Sequence, residues 1–117
     1  MTYQIAIPSL GRSDIILSHT LKMLADNGID ASKVTVFVVA EEFDDYRSKL
    51  PADIRIVIGH RGIVPQRKFI ENHYEEDTDL VSIDDDVEHV DLTLDTFSNL
   101  DDFFTRAFAD LRKQGSY

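Results

Sequence analysis

Apolar and polar positions along the chain switch between two rhythms. Gln4 to Pro8 is a short Ile-rich run closed by Pro8-Ser9-Leu10-Gly11, which reads as a buried strand and a loop. From Ser13 the period lengthens. Leu17, Leu21 and Leu24 recur at i, i+4 and i+7, one face of a helix that Ser13 caps and Asn27-Gly28 ends. Val34 to Val39 is β-branched and apolar on both faces, as the middle of a parallel sheet requires. Phe43, Tyr46 and Leu50 predict a short helix stopped at Pro51, and Ile54 to Ile58 a third strand. Gly59-His60-Arg61-Gly62 is a loop, and Pro65 suits the first turn of a helix running to about Tyr74. Leu80 to Ile83 predicts a fourth strand, short and buried. Val90, Leu92 and Leu94 alternate with Asp91, Thr93 and Asp95 as a half-exposed strand. Ser98 and Asp101 then have the spacing of a capping box. The following stripe of Leu100, Phe103, Phe104, Ala107, Phe108 and Leu111 marks a helix that must pack on something.

The order β-α-β-α-β-α-β, then strand and helix, predicts an α/β fold. The expected architecture is a Rossmann-like three-layer αβα sandwich with a mostly parallel sheet, as one domain over residues 1–117. In such sheets ligands bind in the crevice beyond the carboxyl ends of the strands. Three segments fall there: Pro8 to Arg12, Gly59 to Arg67, and Asp84 to Asp86.

Composition narrows the classes. With 43% hydrophobic and 29% charged residues the chain has ordinary globular proportions. It has no Cys, which excludes a disulfide framework and a thiolate metal site. No apolar run reaches membrane-helix length, and Met1 to Ile5 lacks the basic and apolar parts of a signal peptide. The expectation is a soluble protein of the cytoplasm with no membrane partner. His60, His73 and His89 do not have zinc-site spacing and read as surface or core-edge residues. There is no Walker A loop and no G-x-G-x-x-G motif.

The distribution of charge is more informative than the composition. The net charge is -10, and its location matters. Met1 to Tyr74 is balanced, whereas Glu75 to Asp102 holds twelve acids and no Lys or Arg. Most of that stretch is a solvated acidic face. Asp84-Asp85-Asp86 fits that description poorly, because it directly follows the strand and lacks a nearby counter-charge in sequence. Carboxylates suit hard ions such as Mg²⁺ or Mn²⁺. In an extended segment Asp84 and Asp86 share one side and Asp85 faces the other. Ser9 and Arg12 offer a hydroxyl and a guanidinium fork for phosphate or a base edge. Arg61, Gly62, Arg67 and Lys68 form a basic counterpart, with Arg67 near the start of a helix. A diphosphate fits between this cluster and a metal on the aspartates. A plain salt bridge between the basic and acidic segments is the competing reading. Glu41-Glu42 and Asp44-Asp45 read as a solvated helix start.

Taken together, Ile5 to Arg12, Gly62 to Arg67 and Ile83 to Val87 resemble the GT-A fold glycosyltransferases, and most closely the TET-associated glycosyltransferase group of phages and some eukaryotes. The resemblance covers about Tyr3 to Val90. It implies sugar transfer from a nucleotide-sugar, UDP-linked by expectation, to a hydroxyl acceptor such as a hydroxymethylated pyrimidine in DNA. By the same resemblance Pro8, Ser9 and Arg12 line the nucleotide pocket with Arg61, Gly62, Arg67, Asp84 and Asp85. Asp84 and Asp86 bind Mn²⁺ or Mg²⁺, and Asp86 is the residue on which catalysis rests. The family has Asn where this chain has Lys68. GT-A enzymes also run considerably longer, and their second half supplies the acceptor site and usually the base. The expectation is therefore a donor-binding half, host-cytoplasmic if phage-encoded, completed by a partner or a second copy through the 98–113 helix. Two alternatives stand beside it: a nucleotide-sugar-binding module without turnover, and an acidic decoy that occupies a basic DNA-binding partner.

Overall fold

The computed structural model describes residues 3–75, 78–87 and 100–113, with side chains to residue 109 in the last segment. The predicted strand at Val90 to Asp95, together with His89, Ser98 and the Leu111 side chain, lies outside the described residues. Four strands, β1 (Gln4–Pro8), β2 (Val34–Val38), β3 (Arg55–Ile58) and β4 (Leu80–Ser82), form one all-parallel sheet in the order β3-β2-β1-β4. β1 and β2 are central. Their inward and outward positions are both apolar because both faces are covered, and β2 is buried along its whole length.

The first crossover is one helical stretch in three parts: α1 (Ser13–Ile16), a π-helical turn (Leu17–Leu21) and α2 (Lys22–Asp26). It ends as predicted. Gly28 takes φ 82, and the Ile29 and Gly28 amides close back on the Leu24 and Ala25 carbonyls. Two details differ from the sequence reading. Ser13 lies inside the helix and Arg12 stands at the cap, because the Ser13 hydroxyl donates to Asp45 at 2.6 Å instead. Of the Leu17-Leu21-Leu24 face, Leu21 and Leu24 are buried as predicted and Leu17 is not. The π turn shifts the register, so that Ile16, Thr20, Leu21, Met23 and Leu24 face the sheet while Leu17 is exposed.

The second crossover carries α3 (Phe43–Lys49), whose Tyr46 and following Leu50 are buried as expected. The third carries α4 (Ile63–His73), which begins two residues before Pro65. α1, α2 and α3 pack on one face around Ile5, Ile7, Val36 and Val38, and α4 packs on the other against Ala6 and Phe37. This makes the three layers. β1 to β3 run one way across the sheet and β4 lies on the far side of β1. If every crossover keeps one hand, that reversal moves the helix to the opposite face, which is where α4 sits.

β4 corrects the prediction of a buried strand. It is an edge strand of the described sheet, half-buried to exposed. α5 (Leu100–Lys113) uses its apolar stripe against the chain's own core: Leu100 is buried, Phe104 and Phe108 pack on the Tyr3 ring, and Phe103 packs against the same cluster. Asp101 accepts from the Tyr3 hydroxyl and from Lys33 Nζ at 3.0 Å. These contacts hold its carboxyl below the usual range, chiefly through the Tyr3 hydrogen bond and then Lys33.

Candidate functional site

The sheet order reverses at β1, so the carboxyl ends of β1 and β4 open a crevice at the switch point. The chain leaves β1 through Pro8 and Ser9, with the Ser9 amide still bonded to the Phe37 carbonyl at 3.0 Å. It leaves β4 through Ile83, whose amide donates to the Ala6 carbonyl at 3.1 Å. The two loops therefore start from fixed points and face each other.

A buried polar relay joins them. The Ser9 hydroxyl donates to Asp85 Oδ2 at 2.7 Å. Having spent its hydrogen there, it accepts from Tyr46 Oη at 2.6 Å, and Tyr46 Oη in turn accepts from the Arg12 amide at 3.0 Å. The chain of donors runs Arg12 amide, Tyr46, Ser9, Asp85, each bond polarising the next. Burial pushes the Tyr46 hydroxyl above its ordinary range, which keeps it protonated as a donor. Arg12 Nη1 closes the circuit at 3.2 Å from Asp85 Oδ1 and 3.5 Å from Asp86 Oδ2. Thus the counter-charge missing near the aspartates in sequence comes from the β1 loop, and the Arg12 fork is engaged with carboxylates. Asp85 is 7% exposed and holds the loop, whereas Asp84 and Asp86 are exposed. The three residues lie in a turn, not in an extended segment.

The acid turn is held from behind by α1's continuation. Thr20, fully buried, donates from Oγ1 to the Asp84 carbonyl at 2.6 Å and accepts from the Val87 amide at 2.9 Å. On the other wall Gly62 caps α4 at φ 98, a left-handed conformation that a side chain resists. Gln66 lies buried in the next turn, its Oε1 accepting from the His60 amide at 2.9 Å.

Between these walls is a cavity of about 390 Å³, lined among others by Pro8, Ser9, Arg12, Gly62, Arg67, Asp84, Asp85 and Asp86. Eight of the nine expected site residues therefore meet at one place, and Arg61 does not. Arg61 instead pairs with Glu41 at 2.8 Å on the surface, where both side chains stay exposed. Glu42 and Asp45 are likewise engaged, with the Gly11 amide and with Ser13 and Lys49. Among the described residues no ion pair joins Arg67 or Lys68 to the acids, so the plain salt-bridge reading does not hold there. Sequence reading missed Leu10, Val39, His60, Ile63 and Gln66 in the lining. It missed Tyr46, which read only as a helix-face residue, and Thr20, which no local pattern singles out. A second opening, of about 460 Å³, shares Arg67 and Asp84 with the first and runs along Glu71 and Ser82 beside β4.

A family model described as TET-Associated Glycosyltransferase matches residues 3–102. The chain belongs to the TET-associated glycosyltransferase family. The match takes in every strand of the sheet and every residue around the cavity, so this family member carries the crevice within the matched segment. Comparison with curated proteins and with solved structures gives no match. No described helix is long and apolar enough to cross a membrane.

Proposed function

We propose that the chain binds a nucleotide-sugar in the switch-point cavity and works in metal-dependent transfer of its sugar to a hydroxyl acceptor. The observation that carries this reading is the meeting, in one cavity, of exposed Asp84 and Asp86 with the cation of Arg67. A volume near 390 Å³ falls in the range of small-molecule sites. Family membership supports the reaction class.

The residues fit a divalent cation. The Asp84 carboxylate has no hydrogen-bond or ion-pair partner among the described residues, and Asp86 has only its 3.5 Å contact with Arg12. No group of three His, Cys, Asp or Glu side chains is placed to hold a metal ion among those residues, so two carboxylates would leave the remaining positions on an ion to water and substrate phosphates, as suits Mg²⁺ or Mn²⁺. Asp84 and Asp86 would hold the ion, which supplies Lewis-acid neutralisation of the departing diphosphate when bound. Arg67, on the opposite wall, meets phosphate charge directly. Ser9 and Asp85 keep the floor of the cavity fixed, so the binding groups need no reorganisation. The donor is UDP-linked and the acceptor a hydroxymethylated pyrimidine in DNA in this proposal, both by family resemblance. The acidic balance of the chain gives DNA no electrostatic track.

The test is UDP release from a panel of UDP-sugars with Mn²⁺, with and without hydroxymethylated DNA, for the wild type and Asp86→Asn. Release that depends on metal and falls at least about 100-fold in Asp86→Asn supports the proposal. Release that Asp86→Asn leaves intact refutes the assigned role.

A further inference from the structure

The polar contact between Thr20 and the acid turn joins residues 64 and 67 positions apart, and neither the core nor the cavity lining requires it. In a helix interior a threonine hydroxyl ordinarily bonds back to a carbonyl of its own preceding turn. Thr20 does not. Its Oγ1 reaches across to the Asp84 carbonyl as donor and to the Val87 amide as acceptor, using one hydroxyl for both. Those two groups are the first carbonyl and fourth amide of the four-residue turn Asp84 to Val87, the pair that closes an ordinary β-turn on itself. No bond between them occurs among the backbone hydrogen bonds of the described loops. The hydroxyl stands where the turn's own hydrogen bond would be.

The helix is built irregularly at this point. The π-helical turn Leu17–Leu21 contains Thr20, and it is this turn that leaves Leu17 exposed and puts Thr20 at zero exposure. Such single π turns interrupting α-helices are frequent at functional sites. We infer that Thr20 is a positioning residue: the π turn delivers its hydroxyl into the Asp84–Val87 turn, and that bridge sets the turn's width and with it the placement of the Asp84 and Asp86 carboxylates. This rests on the reading of those carboxylates as the cation and diphosphate site.

The bridge has two consequences that a packing role lacks. Thr20→Val keeps the shape of the side chain and removes both bonds. Thr20→Ser keeps the hydroxyl and removes a methyl. The experiment measures amide hydrogen exchange at Val87 and Mn²⁺-dependent UDP affinity by calorimetry in wild type, Thr20→Val and Thr20→Ser. In Thr20→Val the Val87 amide exchanges faster while β1 and β2 keep their protection, and UDP affinity falls by about tenfold, the worth of one or two hydrogen bonds. Thr20→Ser stays near wild type in both. Unchanged Val87 exchange in Thr20→Val, or unchanged UDP affinity beside a wild type that binds, overturns the inference. If the wild type binds no UDP, the donor reading fails, and the exchange result alone judges the bridge. Should Thr20→Val not fold, Thr20→Ala read against Thr20→Ser gives the same contrast.

Discussion

Replacing Tyr46 by Phe tests whether the relay behind the acid turn holds the site together. The ring is fully buried and stays in place, so no cavity opens and the change isolates one oxygen. That oxygen makes two hydrogen bonds, to Ser9 at 2.6 Å and from the Arg12 amide at 3.0 Å. A made hydrogen bond contributes about 1 kcal/mol net, and a buried group left unpaired costs about 1–3 kcal/mol. The Arg12 amide is only part-buried and recovers water. Ser9 keeps its bond to Asp85 and loses one acceptor contact. Both facts push the total to the low end, about 1–2 kcal/mol. For a chain of this size that is a Tm drop of roughly 4–10 °C. Urea unfolding should show a lower midpoint at unchanged m, since the surface exposed on unfolding is the same. Tyr46→Ala, which also empties the ring's space, should cost about 3–5 kcal/mol. Because Ser9 and Tyr46 share one bond, the double variant Ser9→Ala with Tyr46→Phe should deviate from additivity by at least about 0.5 kcal/mol. A Tyr46→Phe midpoint equal to wild type, or an additive double variant, would refute the relay.

Two further outcomes follow from other parts of the fold. In Gly59→Ala the new Cβ would sit 2.0 Å from Gln66 Oε1 and 3.0 Å from Phe69 Cδ2. Gln66 is buried, so displacing it breaks its bond to the His60 amide and should cost about 1–3 kcal/mol in urea unfolding; a neutral substitution would contradict the packing. Asp101 ties α5 to Tyr3 and Lys33, and its carboxyl is held below the usual range, so its contribution is complete above the unfolded value of about 3.9 and fades as pH falls through the lower folded value. The stability advantage of wild type over Asp101→Asn should therefore be constant from neutral pH to about pH 4 and shrink below it, and an advantage that persists undiminished in stronger acid would contradict the assignment.

What the sequence revealed depended on whether the signal was local. β2 was legible because a central parallel strand is apolar on both faces, and Asn27-Gly28 because a helix end needs a left-handed residue just there. β4 was misread for the converse reason: Leu80 to Ile83 is as apolar as a central strand, and strand order, which makes it an edge of the described sheet, is a long-range property. Of Leu17, Leu21 and Leu24 the spacing placed the last two correctly and missed the exposed Leu17, because a π turn inserts a residue without any compositional mark. At the site, the loop chemistry of Ser9, Arg12, Gly62 and Arg67 was visible as residue types beyond strand ends, and the structure gathers it in one cavity. Arg12 as counter-ion to Asp85 was not visible, since the partners are 73 positions apart. Tyr46 looked like an ordinary helix-face residue and Thr20 carried no signal at all; their hydroxyls acquire meaning only once the loops they hold are in place.

The most direct test of the donor site is calorimetric titration of UDP into the protein with Mn²⁺, then with EDTA, repeated on Asp86→Asn. The account predicts binding that requires the metal and is lost in the variant, whose fold, with Asp86 exposed, should be unaffected. Absence of binding by the wild type in Mn²⁺, or binding that EDTA and Asp86→Asn leave unchanged, would contradict it.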